Sequence, residues 1–105
     1  MSFWKPNTPI KRAVKRYMRV LGVDEKTNEH AANLMLVWFE LYNNSKHYSD
    51  YSKVGREFAK AAKKASRELH DFIRSVREYD CAASKIISDA FFELVWVSVP
   101  DYSLN

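Results

Sequence analysis

From residue 51 to residue 79, small and apolar side chains recur at alternating steps of four and three: Tyr51, Gly55, Phe58, Ala62, Ala65, Leu69, Phe72, Val76 and Tyr79. That spacing is a heptad seam, which keeps its members on one stripe of a long α-helix. No proline falls between Pro9 and Pro100, and no glycine follows Gly55, so nothing in the stretch forces the helix to stop. Gly and Ala at its N-terminal end allow another helix to approach closely, while larger residues fill the other end. In a chain of 105 residues such a seam fits packing against neighbouring helices of the same bundle. A homodimeric coiled coil through 51–79 is the alternative use of it.

The remaining segments read as helices as well. Thr8 suits an N-cap, Pro9 a first helical position and Gly22 the residue just past a helix end. At 100° per residue, Ile10, Ala13, Val14, Tyr17, Met18, Val20 and Leu21 share an arc of about 160° and are expected to face the core. Lys11, Arg12, Lys15, Arg16 and Arg19 fill the rest of that helix. A second helix is expected from Thr27 or Asn28 to about Asn43, with Asn43-Asn44-Ser45 as its stop and residues 44–50 as a loop. Its later part, LMLVWFELY, is apolar almost all the way round apart from Asn33 and Glu40, which marks it as the central helix. Asp80 suits the N-cap of a last helix over residues 81–97, although nothing in the sequence compels a break between Tyr79 and Asp80. Ala83, Ile86, Ile87, Ala90, Phe91, Leu94 and Val97 form its core stripe; Phe92 and Trp96 lie opposite, which fits either a helix sandwiched within the bundle or an exposed aromatic pair that anchors a partner. The alternation from Val95 to Val99 also fits a short strand. The expected fold is all-α: one domain over 1–105, a bundle of three to four helices, with residues 1–7 a loose arm and 101–105 a loose tail.

Three prolines and two glycines are too few for a turn-rich β fold, and one cysteine, Cys81, allows no internal disulfide. The N-terminus shows no apolar stretch of signal-peptide type, and no uncharged run approaches the roughly 18 residues of a membrane span. A cytoplasmic protein without a membrane partner is expected.

The formal charge of +4 hides a segmental pattern. Residues 1–23 carry six basic and no acidic side chains, and residues 51–79 carry eight basic against four acidic. Residues 24–50 and 80–105 each have three more acidic than basic side chains. Strong local fields therefore underlie a mild total. On the long helix, Arg56, Lys60, Lys63, Arg67 and Arg74 share a stripe opposite the seam, with Lys64 beside it.

Nothing in the sequence has the pattern of a catalytic centre. His30, His47 and His70 never share a helical turn, and no H-x-x-x-H, Glu-x-x-His, P-loop or G-x-S-x-G occurs. Cys81, at a helix start, reads as a passive small side chain rather than an activated thiol. No enzyme activity, cofactor or metal is expected. The run from Met18 to Asp24 superficially fits the turn of a helix-turn-helix. Met18 is too large for its small-residue position, Asn28 too polar for its apolar one, and Asp24, Glu25 and Glu29 would repel phosphates.

The leading expectation is a non-enzymatic helical protein that binds and regulates or inhibits a partner protein with an acidic surface. Its expected contacts are Lys11, Arg12, Lys15, Arg16, Arg19, Arg56, Lys60, Lys63, Lys64, Arg67 and Arg74. The alternative is a nucleic-acid-binding protein that contacts the phosphates of DNA or RNA with the same two basic faces.

Overall fold

A computed structural model describes residues 8–48 and 52–98, with side chains from 10 to 48 and from 52 to 95. Four helices follow in order: α1 (Thr8–Val20), α2 (Glu25–Lys46), α3 (Lys53–Arg77) and α4 (Cys81–Ser98). No strand occurs among the described residues, and the architecture is a small all-α bundle. Connections this short bring successive helices together as neighbours. Central α2 touches all three other helices, most extensively α3. α4 also touches α3 and α1, whereas α1 and α3 barely meet and stand at diagonal corners.

The end of α1 is a Schellman motif built on Gly22. Gly22 has φ +106°, a left-handed conformation that other residues adopt at a cost. Val23 N–H donates to Met18 O at 3.0 Å and Gly22 N–H to Arg19 O at 3.1 Å, which satisfies two carbonyls of the last turn. Val23 and Met18 are both buried, the apolar contact that accompanies this motif. The reversal delivers Asp24, whose Oδ2 accepts from Thr27 N–H at 3.1 Å and caps α2. That bond holds the Asp24 carboxyl below its usual range. α2 therefore begins at Glu25, ahead of the expected Thr27 or Asn28, and both of those residues are buried between helices instead.

The other end of α2 also differs from expectation. Asn44 Nδ2 donates to Glu40 O at 2.9 Å and Ser45 Oγ to Tyr42 O at 2.6 Å, so these side chains bond back along the helix. α2 consequently runs to Lys46, and the link to α3 shifts from 44–50 to 47–52. Ser52 Oγ caps α3 by accepting from Gly55 N–H at 2.9 Å.

The heptad seam is packed inside the chain. Gly55, Ala62, Ala65, Leu69 and Val76 are buried, while Phe58 and Phe72 are half-buried. Phe72 meets His30 of α2 at 4.4 Å between ring centroids, and Phe58 stacks on Tyr48 at 5.7 Å. Tyr79 lies past the end of α3 and is 71% exposed, and Tyr51 lies outside the described residues. The chain breaks between α3 and α4: Asp80 Oδ1 accepts from Ala83 N–H at 3.0 Å, the cap expected of it.

α4 buries Ala83, Ile87, Ala90 and Leu94. Phe91 meets Trp38 of α2 edge-on at 5.1 Å and His70 of α3 at 5.8 Å, tying three helices together. The helix continues to Ser98, so residues 95–98 are helical rather than strand. Val97, the expected arm 1–7 and the tail 101–105 lie outside the described side chains or residues. No helix is long and apolar enough to cross a membrane among the described residues.

Candidate interaction surfaces

The first helix departs most from its sequence pattern. Of the seven residues expected to face the core, only Met18 is fully buried; Ile10 and Val14 are half-buried. Ala13 is exposed, and Tyr17, Val20 and Leu21 are 40%, 76% and 49% exposed. The buried side is centred between Val14 and Lys15, so α1 is rolled off its apolar axis by roughly 70° at 100° per residue.

The cause is an ionic and polar seam supplied by α2. Glu29 accepts from Lys11 at 3.1 Å and also from Lys15. Lys15 reaches Glu25 at 3.1 Å, and Arg19 meets the same carboxylate at 3.4 Å. Asn28, fully buried, donates from Nδ2 to the Lys15 carbonyl at 2.9 Å, pinning that side of the α1 backbone against α2. The lysine stems fill the space that apolar residues would otherwise take, with the Lys15 side chain only 19% exposed. Hydrogen bonds from Lys15 and Lys11 hold the Glu29 carboxyl at about 2. Bonds to Glu29 and Glu25 raise Lys15, and its ammonium in turn lowers Glu25.

Three of the five cations on α1 thus have acidic partners that the helix's own sequence does not contain. Arg12 and Arg16 have none among the described residues. They border a depression of about 620 Å³ whose other lining residues are Ala13, Tyr17, Val20 and Leu21. Ala13 and Tyr17 also line a groove of about 310 Å³ between α1 and α4, floored by Ile10, Val14, Ala90 and Leu94 with Glu93 at its edge. The exposed apolar edge of α1 is hidden in the sequence because an arc of apolar residues reads as core. Its breadth, about 160°, is the available signal, since a bundle seam needs a narrower stripe.

No family model, curated protein or solved structure matches the chain.

The basic residues of α3 form a separate surface. Lys60, Lys63, Lys64 and Arg67 are exposed around a shallow depression of about 470 Å³ that also includes Glu57 and Ala61. Arg56 is exposed on the same side, nearer the start of the helix. Arg74 is farther along and engages Asp71 at 3.5 Å. Because α1 and α3 stand at diagonal corners, the fold does not join their cations into one patch.

Phe92 is 59% exposed on the outer side of α4, near the Lys85–Asp89 pair, and so away from the α1 groove. The Trp96 side chain lies outside the described ones. His30 and His70 sit against Phe72 and Phe91, Cys81 is exposed, and no cluster of metal ligands occurs among the described residues.

Proposed function

We propose that this chain is a non-enzymatic interaction protein that docks on a partner protein through the outer face of α1 and regulates it. The observation that carries the reading is the pairing of an exposed apolar edge (Ala13, Tyr17, Val20, Leu21) with Arg12 and Arg16, two cations without acidic partners among the described residues. Tyrosine and arginine around an apolar centre are the usual anchors of protein interfaces. The complementary occupant is an amphipathic segment whose apolar side lies along Tyr17 and Val20 and whose carboxylates meet the two guanidinium groups. Arginine favours such carboxylates because its planar fork can bind both oxygens.

A nucleic-acid reading that uses both basic faces together is weakened on two counts. Lys11, Lys15 and Arg19 are already engaged by α2, and α1 and α3 barely touch, so their cations do not form one continuous stripe. Capture from nuclease-treated lysate of the source cells tests the proposal, with wild type compared against R12E/R16E and against Y17A. A protein retained by wild type and lost by both variants is expected. Equal capture by all three overturns the assignment of α1.

A further inference from the structure

The exposed ridge of α3 is a surface of different chemistry. Between Arg56 and Arg67 it presents five cations, with Glu57 the one acidic residue in that span. Lys60, Lys63, Lys64 and Arg67 have no acidic partner among the described residues. No large apolar side chain is exposed along this stretch, where Lys60 is flanked by Ala59 and Ala61. A protein interface would want an apolar centre, and a membrane-surface helix an exposed apolar face. α3 turns its apolar face into the bundle.

The placement of the cations narrows the ligand further. Lys60 lies three and four residues from Lys63 and Lys64, and Arg67 four and three from the same pair, so like charges crowd at helical neighbour positions, while Glu57, Glu68 and Asp71, at the same spacing from Lys60, Lys64 and Arg67, form no ion pair with them among the described residues. Such crowding disfavours the free helix and is relieved when an anion covers it. At 100° per residue these side chains fan over an arc of roughly 100°, and Arg56 to Arg67 spans about 17 Å along the axis. A flat bilayer meets only the crest of such a fan. The major groove of a nucleic-acid duplex, about 12 Å wide, admits a helix and presents phosphates on both walls.

We infer that the Arg56–Arg67 ridge of α3 binds the phosphate backbone of double-stranded nucleic acid, without reading its sequence. The site is independent of the α1 face, which stands at the diagonal corner, so one molecule can hold a protein and a duplex together.

Fluorescence anisotropy with a labelled random-sequence DNA duplex of about 20 base pairs tests this. Four neutralised phosphates give a slope of log affinity against log salt near −3.6, or a loss of roughly 100-fold between about 50 and 200 mM salt. The variant K60A/K63A/K64A/R67A should lose most of the low-salt affinity and flatten the slope. Alanine is the best helix former, so this variant should keep its helical circular dichroism spectrum. R12E/R16E lowers the net charge of +4 by the same four units and should leave duplex binding at about 0.1 M salt within about threefold, because salt at that strength screens charges beyond roughly 10 Å. That contrast separates a local site from bulk charge and distinguishes failure of this proposal from failure of the α1 reading. The inference is overturned by no binding at low salt, by equal losses in the two variants, or by full binding in a helical quadruple variant. Tighter binding to phosphatidylserine vesicles than to the duplex also overturns it.

Discussion

Glu29→Gln removes the charge that holds α1 in its rolled position while keeping the side chain's size. Glu29 accepts from two lysines, and its side chain is 42% exposed. The displacement of its carboxyl from 4.5 to about 2, if it were converted directly, would correspond to ~3 kcal/mol. Solvent reaches nearly half of this side chain and screens the pairs, which at such exposure contribute ~0.2–1 kcal/mol each. The expected cost of Glu29→Gln is therefore about 1 kcal/mol at neutral pH, a fall of about 5 °C in Tm for a domain of this size. The pH dependence has a definite sign. A carboxyl held below its ordinary value stabilises fully above pH 4.5 and loses that contribution as pH falls towards about 2. Urea unfolding followed by circular dichroism should therefore show the two proteins diverging at neutral pH and converging in acid. In a Lys15→Gln background the effect of Glu29→Gln should shrink, because one of its two partners is gone. Equal stability at neutral pH, or a difference that persists unchanged at about pH 2, would refute the ionic explanation of the roll.

Core and turn substitutions test the remaining packing. Leu69→Ala, at a fully buried position on the α3 seam, should cost roughly 2–5 kcal/mol by chemical denaturation. Phe58→Ala should cost less, because Phe58 is half-buried and leans on exposed Tyr48; a larger loss at Phe58 would contradict the packing described. Gly22→Ala meets no atom within 4 Å of the added carbon, so its cost is the positive φ alone, about 1–2 kcal/mol. Lys60→Glu should raise Tm by a degree or two, since it turns the neighbours Lys63 and Lys64 from repulsive to attractive against one new repulsion with Glu57; a Tm lower by several degrees would show that the lysines are not in conflict.

Much of the fold is legible along the chain because it depends on local chemistry. The stop at Gly22, the Asp80 cap and the all-round apolar run of α2 each act within a turn or two of where they are written, whereas α1 already includes Thr8, the residue expected to cap it. Local chemistry misleads where a residue has two compatible roles. Asn44 and Ser45 suit a stop, yet their side chains also bond to helix carbonyls, and α2 continues through them. Asp24, Thr27 and Asn28 are all good caps, and the Schellman turn at Gly22 presents Asp24 first.

The basic residues of the proposed surfaces were equally visible, but their availability was not. Lys11 and Arg12 are indistinguishable as sequence; one is tied to Glu29 and the other has no acidic partner among the described residues. Likewise, Tyr17 and Met18 both belong to the apolar arc, yet Tyr17 is 40% exposed and Met18 fully buried. Helical periodicity fixes the angles between side chains on one helix and says nothing about the rotation of that helix against its neighbours. The sequence by itself determined the all-α class, the stop of α1 at Gly22, the Asp80 cap and the seam of α3, because those follow from backbone hydrogen bonding and the 3.6-residue turn. Only the tertiary structure decided the roll of α1 and the diagonal separation of the two basic faces. The roll depends on Glu25, Glu29 and Asn28 acting across an interface from another helix, and the separation on which helices pack side by side, neither of which any local spacing encodes.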